Sequence, residues 1–459
     1  MATALDYYAD AFSSESLYGL RIVIAWFSVA VFIWLIGLSY LVWKADSKST
    51  ENRFMSVLLI IEGIKAAFLL PDAFPYDSSW EWLWNYLWVF KIDVFFYAHT
   101  SAILLYLCIP IYYRIERLKF MYRPSFQKHA WYLAPLLGFT IWMSIRGLEP
   151  FYMANSAWLI CAEAGATPQL QVWWGSIQPY MTDAVAEIGT CSTYYESHLV
   201  DEPMGLWTIA LASPLVTLGA LFFIRSSMKS EKEAGGENST KHLTSRSLYI
   251  GFLGKVTGTM LYFATLMVVI PMLNGGDMAT FLDATIWQYG DDPSSLDRVK
   301  YLIWTLSLLM TPLAMGFEAL MFVHAALNDS VFGIDQNLRK TFRAATFTGT
   351  GALLFIVGTE AMEQLVGVGL LGGVVLGIGF LAIRGPVLVV IDRMSSKLIP
   401  SSFTVEEQAY LEAYDTAMED RIITSEERKL LKSLALAYTI SQSRVDELEA
   451  HYDSLLEEE

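Results

Sequence analysis

The chain has 459 residues, of which 54% are hydrophobic, 14% aromatic and 17% charged, with a formal net charge of −16. A soluble domain carries about a quarter charged residues, so the shortfall points to lipid, and the acidic balance excludes a nucleic-acid binder, which needs a basic stripe. With only three cysteines, the chain offers no cysteine-rich scaffold and no zinc ribbon.

The N-terminal run MATALDYYADAFSSES is acidic and lacks a basic n-region, which predicts no cleaved signal peptide. A spanning helix needs roughly 20 mostly apolar residues, because in hydrocarbon the backbone must satisfy its own hydrogen bonds. Nine stretches qualify or nearly do, at about 22–43, 54–71, 89–113, 130–148, 205–225, 247–272, 300–323, 345–363 and 366–391. The second and eighth are short and carry charges. The expected fold is therefore all-α: a polytopic membrane bundle of about nine spans, seven plus two, ending in a small helical tail.

Orientation follows from lysine and arginine. With the N-terminus outside, the inner loops hold 19 basic residues, while the 59 residues from Gly147 to Gly205 hold none. This positive-inside bias predicts a multi-pass protein of the cell membrane with its C-terminus in the cytoplasm. Three regions result: residues 1–323 as an N-out seven-span bundle with a large outer loop at 147–205, residues 324–398 as a two-span hairpin, and residues 399–459 as an acidic cytoplasmic three-helix tail.

Cys161 and Cys191 fall in the large outer loop, where an oxidising compartment allows a disulfide. A bridge would close a loop of about 30 residues and stabilise it by roughly 3–4 kcal/mol on the loop-entropy model; two free thiols are the alternative. The run DSSWEWLWNYLW (77–88) and Trp158, Trp173 and Trp174 read first as an interfacial aromatic belt.

Ionisable residues inside a span cost at least about 2.5–3.5 kcal/mol each, so they face partners or water. Glu62 and Lys65 lie three residues apart on one face of the second span and suit pairing with each other. The third span carries Asp93 and His99. Lys255 in the sixth and Glu318 in the seventh sit at similar depth, which allows an interhelical pair. These six residues form the candidate intramembrane polar site, either as structural pairs or as an ion path. The seventh span lacks an interior lysine, which argues against a retinal Schiff base.

No HExxH, GxSxG, Walker loop or paired CxxC occurs, and the six histidines are scattered, so neither a catalytic residue, a metal site nor a cofactor is expected. Pro214, Pro271 and Pro312 are expected to kink the fifth, sixth and seventh spans. Gly369, Gly373 and Gly377 form a four-residue-spaced stripe in the ninth span, which suits close packing on the eighth span or, less readily, a homodimer.

The stretch FVHAALNDSVFGIDQNLRKTF (322–342), two spans, and then FLAIRGPVLVVIDRM (380–394) resemble the membrane sensor region of bacterial multi-span sensor histidine kinases. The matching positions are Phe332, Gly333, Ile334, Asp335, Leu338, Arg339 and Thr341, then Arg384, Pro386, Ile391, Asp392 and Arg393. The resemblance covers about 70 residues, and it implies a sensor module; no phosphoacceptor helix or ATP domain follows. In the tail, DTAMEDRIITSEERKLLKSLA is similar to the helix pairs of TerB-like modules. An echo of an EF-hand loop at 415–426 is poor, because Asp420 stands where glycine is required.

Three capping signatures divide the tail into three helices: Thr404 with Glu407, Thr424 with Glu427, and Ser443 with Asp446. Leu430, Leu434 and Leu448 are the expected docking residues for a cytoplasmic protein partner. The resulting expectation is a membrane-embedded sensor or signalling adaptor, with an ion- or proton-coupled transporter or channel as the alternative; its partners are the bilayer and that cytoplasmic protein.

Overall fold

The computed structural model describes residues 18–74, 82–83, 86–87, 90–113, 123–145, 156–161, 165–174, 186, 189–191, 196–201, 212–235, 240–273, 275, 295–327, 334–366, 369–398, 403, 405–418 and 423–458. The helices of the main body are α1 (Tyr18–Ala45), α2 (Thr50–Ala66), α3 (Phe95–Tyr113), α4 (Pro124–Ile145), α5 (Ser213–Gly235), α6 (Thr240–Ala264), α7 (Ser295–Leu308), α8 (Met310–Leu327), α9 (Ile334–Val366), α10 (Gly369–Ala382) and α11 (Arg384–Leu398). Helix occupies most of the described part of each of the nine apolar stretches, with turns at 67–69, Leu309 and Ile383. A π-helical turn, Phe90–Val94, leads into α3, and another, Thr265–Val269, follows α6.

Three helical segments are long and apolar enough to cross a membrane by themselves: Gly19–Ala45, Phe95–Tyr113 and Leu302–Leu327. A fourth is added if the bent pair Gly372–Ala382 and Arg384–Ser395 counts as one span. The other stretches fall short for visible reasons. α2 has 17 residues and carries Glu62 and Lys65 in its second half. α9 runs for 33 residues, well beyond the expected 345–363, and opens with polar turns.

Helices adjacent in sequence pair in space, α1 with α2, α3 with α4, α5 with α6, and α9 with α10, and α8 packs on α1, α2 and α6. One apolar core runs through these elements and includes Leu35, Leu58, Leu105, Phe252 and Phe322. The outside is apolar too. Ile33 and Tyr40 on α1, Leu136 and Leu137 on α4, and Val375 and Ile378 on α10 are exposed, while Ser39, Asn52, Glu62, Lys65, Lys255 and Glu318 are buried. A helix that meets lipid on one face and protein on the other shows this inverted pattern.

Polar side chains stitch the helices where burial would otherwise leave them unsatisfied. Ser39 Oγ donates to the Ser56 carbonyl at 2.9 Å, and Ser56 Oγ donates back to the Ser39 carbonyl at 2.9 Å, joining α1 to α2. Ser247 Oγ meets His324 Nδ1 at 2.6 Å, joining α6 to α8. The α1–α2 turn is built locally. Asp46 Oδ1 accepts from the Lys48 and Ser49 amides at 2.8 and 3.0 Å, and Ser49 Oγ caps α2 through the Asn52 amide. Arg53 then lies 5.8 Å from the ring centroids of both Trp43 and Trp131.

The prolines act mostly at helix ends. Pro214 sits in the first turn of α5, where its missing N–H costs nothing, and Pro271 lies in the short turn after the second π-helical segment. Pro312 has no N–H to offer the Leu308 carbonyl, and the chain breaks there between α7 and α8.

The stretch between α4 and α5 holds a small antiparallel sheet in the order β2-β1-β3, formed by β1 (Ser156–Cys161), β2 (Gln169–Trp174) and β3 (Glu196–Asp201). It adds to an otherwise helix-dominated chain a feature not expected from the sequence. The alternation Gln169, Leu170, Gln171, Val172 is a period-of-two pattern of the kind a strand requires.

The tail forms α12 (Val405–Ala417), α13 (Ser425–Ala437) and α14 (Gln442–Glu458) around Tyr410, Leu411, Tyr414, Leu431, Ala435, Val445 and Leu448. Thr424 and Glu427 form a full capping box. α14 starts at Gln442, ahead of the expected cap Ser443, because the Arg444 and Val445 amides already bond the Ser441 carbonyl. Thr404 and the loop residues 419–422 lie outside the described residues.

Candidate functional site: a buried ion network between four helices

Four of the six expected polar residues meet. Lys255 Nζ on α6 lies 2.7 Å from Glu62 Oε2 on α2 and 2.7 Å from Glu318 Oε2 on α8. Lys65 Nζ reaches the same Glu62 carboxylate at 3.1 and 3.2 Å. Relative exposures of 1% for Glu62 and Lys65, 4% for Lys255 and 0% for Glu318 place all four inside the bundle. Tyr106 on α3 completes the group. Its hydroxyl donates to Glu62 Oε1, and Lys255 Nζ stands 4.4 Å from its ring centroid.

Glycine makes this approach feasible. A Cβ at Gly254 would lie 2.2 Å from the Phe317 ring, one at Gly258 would lie 2.6 Å from the Ala314 Cβ, and one at Gly251 would lie 3.0 Å from the Phe322 ring. Gly251, Gly254 and Gly258 therefore form a stripe on the α6 face that meets α8, and Lys255 lies beside it. Phe252 packs edge-on against Tyr106 and Phe322 at 5.1 and 5.0 Å and seals the network from below. Pro110, one turn after Tyr106, has no N–H for the Tyr106 carbonyl, which weakens the α3 ladder beside the network.

Comparison with family models, curated proteins and solved structures finds no match to this chain.

The chemistry therefore has to be read from the side chains. Two carboxylates and two ammonium groups balance, so the group is neutral as a whole although each member would be costly alone. Lys255 is the hinge, being the one cation that bridges α2 and α8. Glu318 uses Oε2 for Lys255, and its other oxygen, Oε1, is buried without a hydrogen-bond partner. That oxygen is the acceptor the network leaves unused. Among the described residues, no group of three or more His, Cys, Asp or Glu is placed to hold a metal ion.

The other expected site residues lie apart from this group. His99 is buried on α3, bonded through Nδ1 to the Phe95 carbonyl at 2.9 Å and set edge-on to the Phe95 ring. It precedes Tyr106 by seven residues, about 10 Å along the helix, so its hydrogen bond serves its own helix, while its ring lies within electrostatic reach of Lys65, Glu62 and Lys255. Asp93 is buried in the π-helical turn ahead of α3.

Gly373 packs on α9, where a Cβ would lie 2.9 Å from the Phe355 carbonyl oxygen. Gly377 is looser, at 3.6 Å from the Phe355 ring. The tighter partner across that seam is Gly358, whose Cβ would meet the Gly372 carbonyl oxygen at 2.9 Å. The surroundings of Gly369 lie outside the described residues. Cys191 is disulfide-bonded and Cys108 is free; the Cys161 side chain lies outside the described residues. The Cys191 amide and carbonyl pair with Ala166 and Gly165, both at 2.8 Å.

In the tail, Leu448 is buried in the core, where it is closed to docking, and Leu434 is half-buried against that core. Leu430 is exposed, and so is Leu436, which the sequence reading did not select. α13 turns Leu431 and Ala435 inward and thereby points Leu430 out.

Proposed function

We propose that this chain is a multi-span membrane signalling protein: its nine apolar stretches cross the cell membrane, the N-terminus lies outside, and a change in the seven-helix body is passed to the cytoplasmic tail. The observation that carries the reading is the double role of α6. Lys255 binds it to the ion network, and Arg246, near its start, donates to the carbonyl of Lys397 in the last turn of α11. Six residues separate the end of α11 from the start of α12. A shift of α6 that rearranges the network therefore moves the segment from which the tail hangs.

Further support comes from the two stretches that resemble sensor-kinase membrane regions. The described matching positions fall on the start of α9 and on α11, two helices that pack together, with Leu338 and Ile391 both buried. Arg343 and Asp392 also pair at 3.3 Å. Hydrogen exchange on the full-length protein in nanodiscs tests the proposal. The Glu318→Gln variant is expected to change protection in the first turns of α6, in α11 and in the tail. A change confined to the neighbourhood of residue 318 rejects the coupling.

A second reading, proton- or ion-coupled transport, is favoured by one observation, the unpartnered Glu318 Oε1. Proteoliposomes that show a gradient-driven flux abolished by Glu318→Gln would make transport the primary function. Silent wild-type liposomes would remove it.

A further inference from the structure

The ninth apolar stretch does not continue straight. It breaks at Ile383, and Arg384–Ser395 leaves Gly372–Ala382 at an angle of 67°. The break separates two kinds of helix. α10 is apolar throughout. α11 reads RGPVLVVIDRMSSKL and has distinct faces.

Ile391 and Ser395 on α11 are buried, with 5% and 2% exposure, and α11 packs on α9. Leu398 reaches the main core. One flank of the helix exposes Val390 and Met394, four residues apart, and ahead of them Ile383. Arg393 and Lys397 are exposed beside this apolar strip, on the same half of the helix. The acidic residue of the segment, Asp392, is offset by Arg343 on α9. Lys340 adds a further exposed cation on α9.

An exposed strip of valine and methionine edged by arginine and lysine is poorly suited to open water. It is equally poorly suited to the bilayer centre, where two cations would be stranded. It suits the boundary between the two. There the apolar strip enters the acyl region, and the long basic side chains reach the headgroups.

We propose that α11 is an interfacial helix that binds anionic phospholipid headgroups of the inner leaflet through Arg393 and Lys397, with Val390 and Met394 inserted below them. The proposal rests on the reading above, in which α10 crosses the bilayer and the basic loops face the cytoplasm. It deepens that reading, because the Arg246 contact ties the lipid-bound helix to α6. The bilayer then becomes an input to the same coupling, since the lipid charge under α11 sets the position of the segment that carries the tail.

Site-directed nitroxide labelling of the full chain tests this, with Cys108→Ser as background and single cysteines at Val390, at Leu376 on α10 and at Leu430 in the tail. The vesicles are phosphatidylcholine with or without phosphatidylglycerol. The expected result is a label at 390 held at the headgroup–acyl boundary in the anionic vesicles, shallower than 376 and drier than 430. Arg393→Gln with Lys397→Gln removes two cations and is expected to weaken that partitioning by roughly an order of magnitude. Both side chains are exposed, so folding is preserved.

Three results overturn the proposal: a label at 390 as deep as 376, which makes α11 part of a straight span; a label as wet as 430 in both vesicles; or a depth indifferent to phosphatidylglycerol and to both substitutions. A label at 376 that never meets lipid defeats the underlying reading of α10 instead, so the two failures are distinguishable.

Discussion

At the scale of single residues, Lys255 is held by two carboxylates that have no other reason to be near each other. Lys255→Met would leave Glu318 buried with no cation and Glu62 with Lys65 alone. Removing one member of a buried pair in this way typically costs about 3–5 kcal/mol. Lys255→Met combined with Glu318→Gln removes both charges and leaves the neutral Glu62–Lys65 pair. Thermal unfolding in detergent is therefore expected to rank the double variant above the single one; the reverse order would mean that packing, and not charge balance, holds α6 to α8. Matching depths in the sixth and seventh spans made the Lys255–Glu318 pair legible in the sequence, and three-residue spacing did the same for Glu62 and Lys65. Tyr106 was not legible, because one tyrosine within an apolar span looks the same whether it faces lipid, a ring or a carboxylate. The tail offers a titration at the same scale. Burial and the Asp453 carboxylate, which accepts the Tyr414 hydroxyl at 3.1 Å, push that phenol up to about 12. Burial and the 2.5 Å bond to Glu449 push Tyr410 up as well. A phenol whose folded value exceeds its unfolded value of about 10 stabilises the fold in its protonated form. That contribution is complete below pH 10 and is lost as pH rises toward 12. Proteolytic release of the tail from the full chain is expected to accelerate across that window, and more gently in Tyr410→Phe with Tyr414→Phe. Equal pH dependence in the two proteins would show that these phenols do not control the transition.

Helices come together here through positions that carry almost no hydropathy signal. GFLGKVTG reads as ordinary apolar span, yet its glycines at 251, 254 and 258 let α8 approach. Gly254→Val is expected to push Phe317 aside, part Lys255 from Glu318 and lower the melting temperature. Gly219→Val on α5, where nothing lies within 4 Å, is the control and should change little. If both variants melt alike, the close approach is not what positions Lys255. The bend at Ile383 does carry a sequence signal, because Arg384, Gly385 and Pro386 interrupt the apolar run and Pro386 has no N–H for the Ala382 carbonyl, but a window average smooths over it. Caps were easier to read. Thr424 with Glu427 follows from residue types alone and is present in full, whereas Ser443 misled because Ser441, two residues earlier, begins the turn. The other end of α13 closes through the Ile440 amide on the Ala435 carbonyl, with Thr439 at φ 55. A β-branched residue there is strained, and glycine is the usual occupant. Thr439→Gly should therefore stabilise the tail by about 1 kcal/mol, while Thr424→Ala should cost about 1 kcal/mol. Amide exchange in α13 reads both; a destabilising glycine at 439 would mean that the motif gains more from the threonine side chain than it loses in strain.

For the molecule as a whole, composition divides the chain into an apolar body, a stretch at 147–205 without lysine or arginine, and an acidic tail. The sheet between α4 and α5 was not foreseen because six-residue strands are too short to stand out among loop residues. The tail is the part whose purpose composition leaves most open, since an acidic surface serves solubility as well as recognition. Its geometry narrows the choice. Residues that look equivalent on a heptad divide into Leu431 and Leu448 inside and Leu430 and Leu436 outside. The exposed pair is flanked by Lys429 and Lys432, both exposed, so this face presents apolar contacts with a basic margin on an otherwise acidic module. If this face docks a partner, its complement is an acidic amphipathic helix. Leu430→Asp with Leu436→Asp in the full-length protein should leave amide protection in α12–α14 intact while abolishing capture of a peptide of that kind. Leu448→Asp should lose the protection and the capture together, because it places a charge in the core. If the outer pair could be changed with no effect on capture while Leu448→Asp abolished it, docking would need the folded module but not this face, and the partner would have to bind elsewhere on the acidic surface.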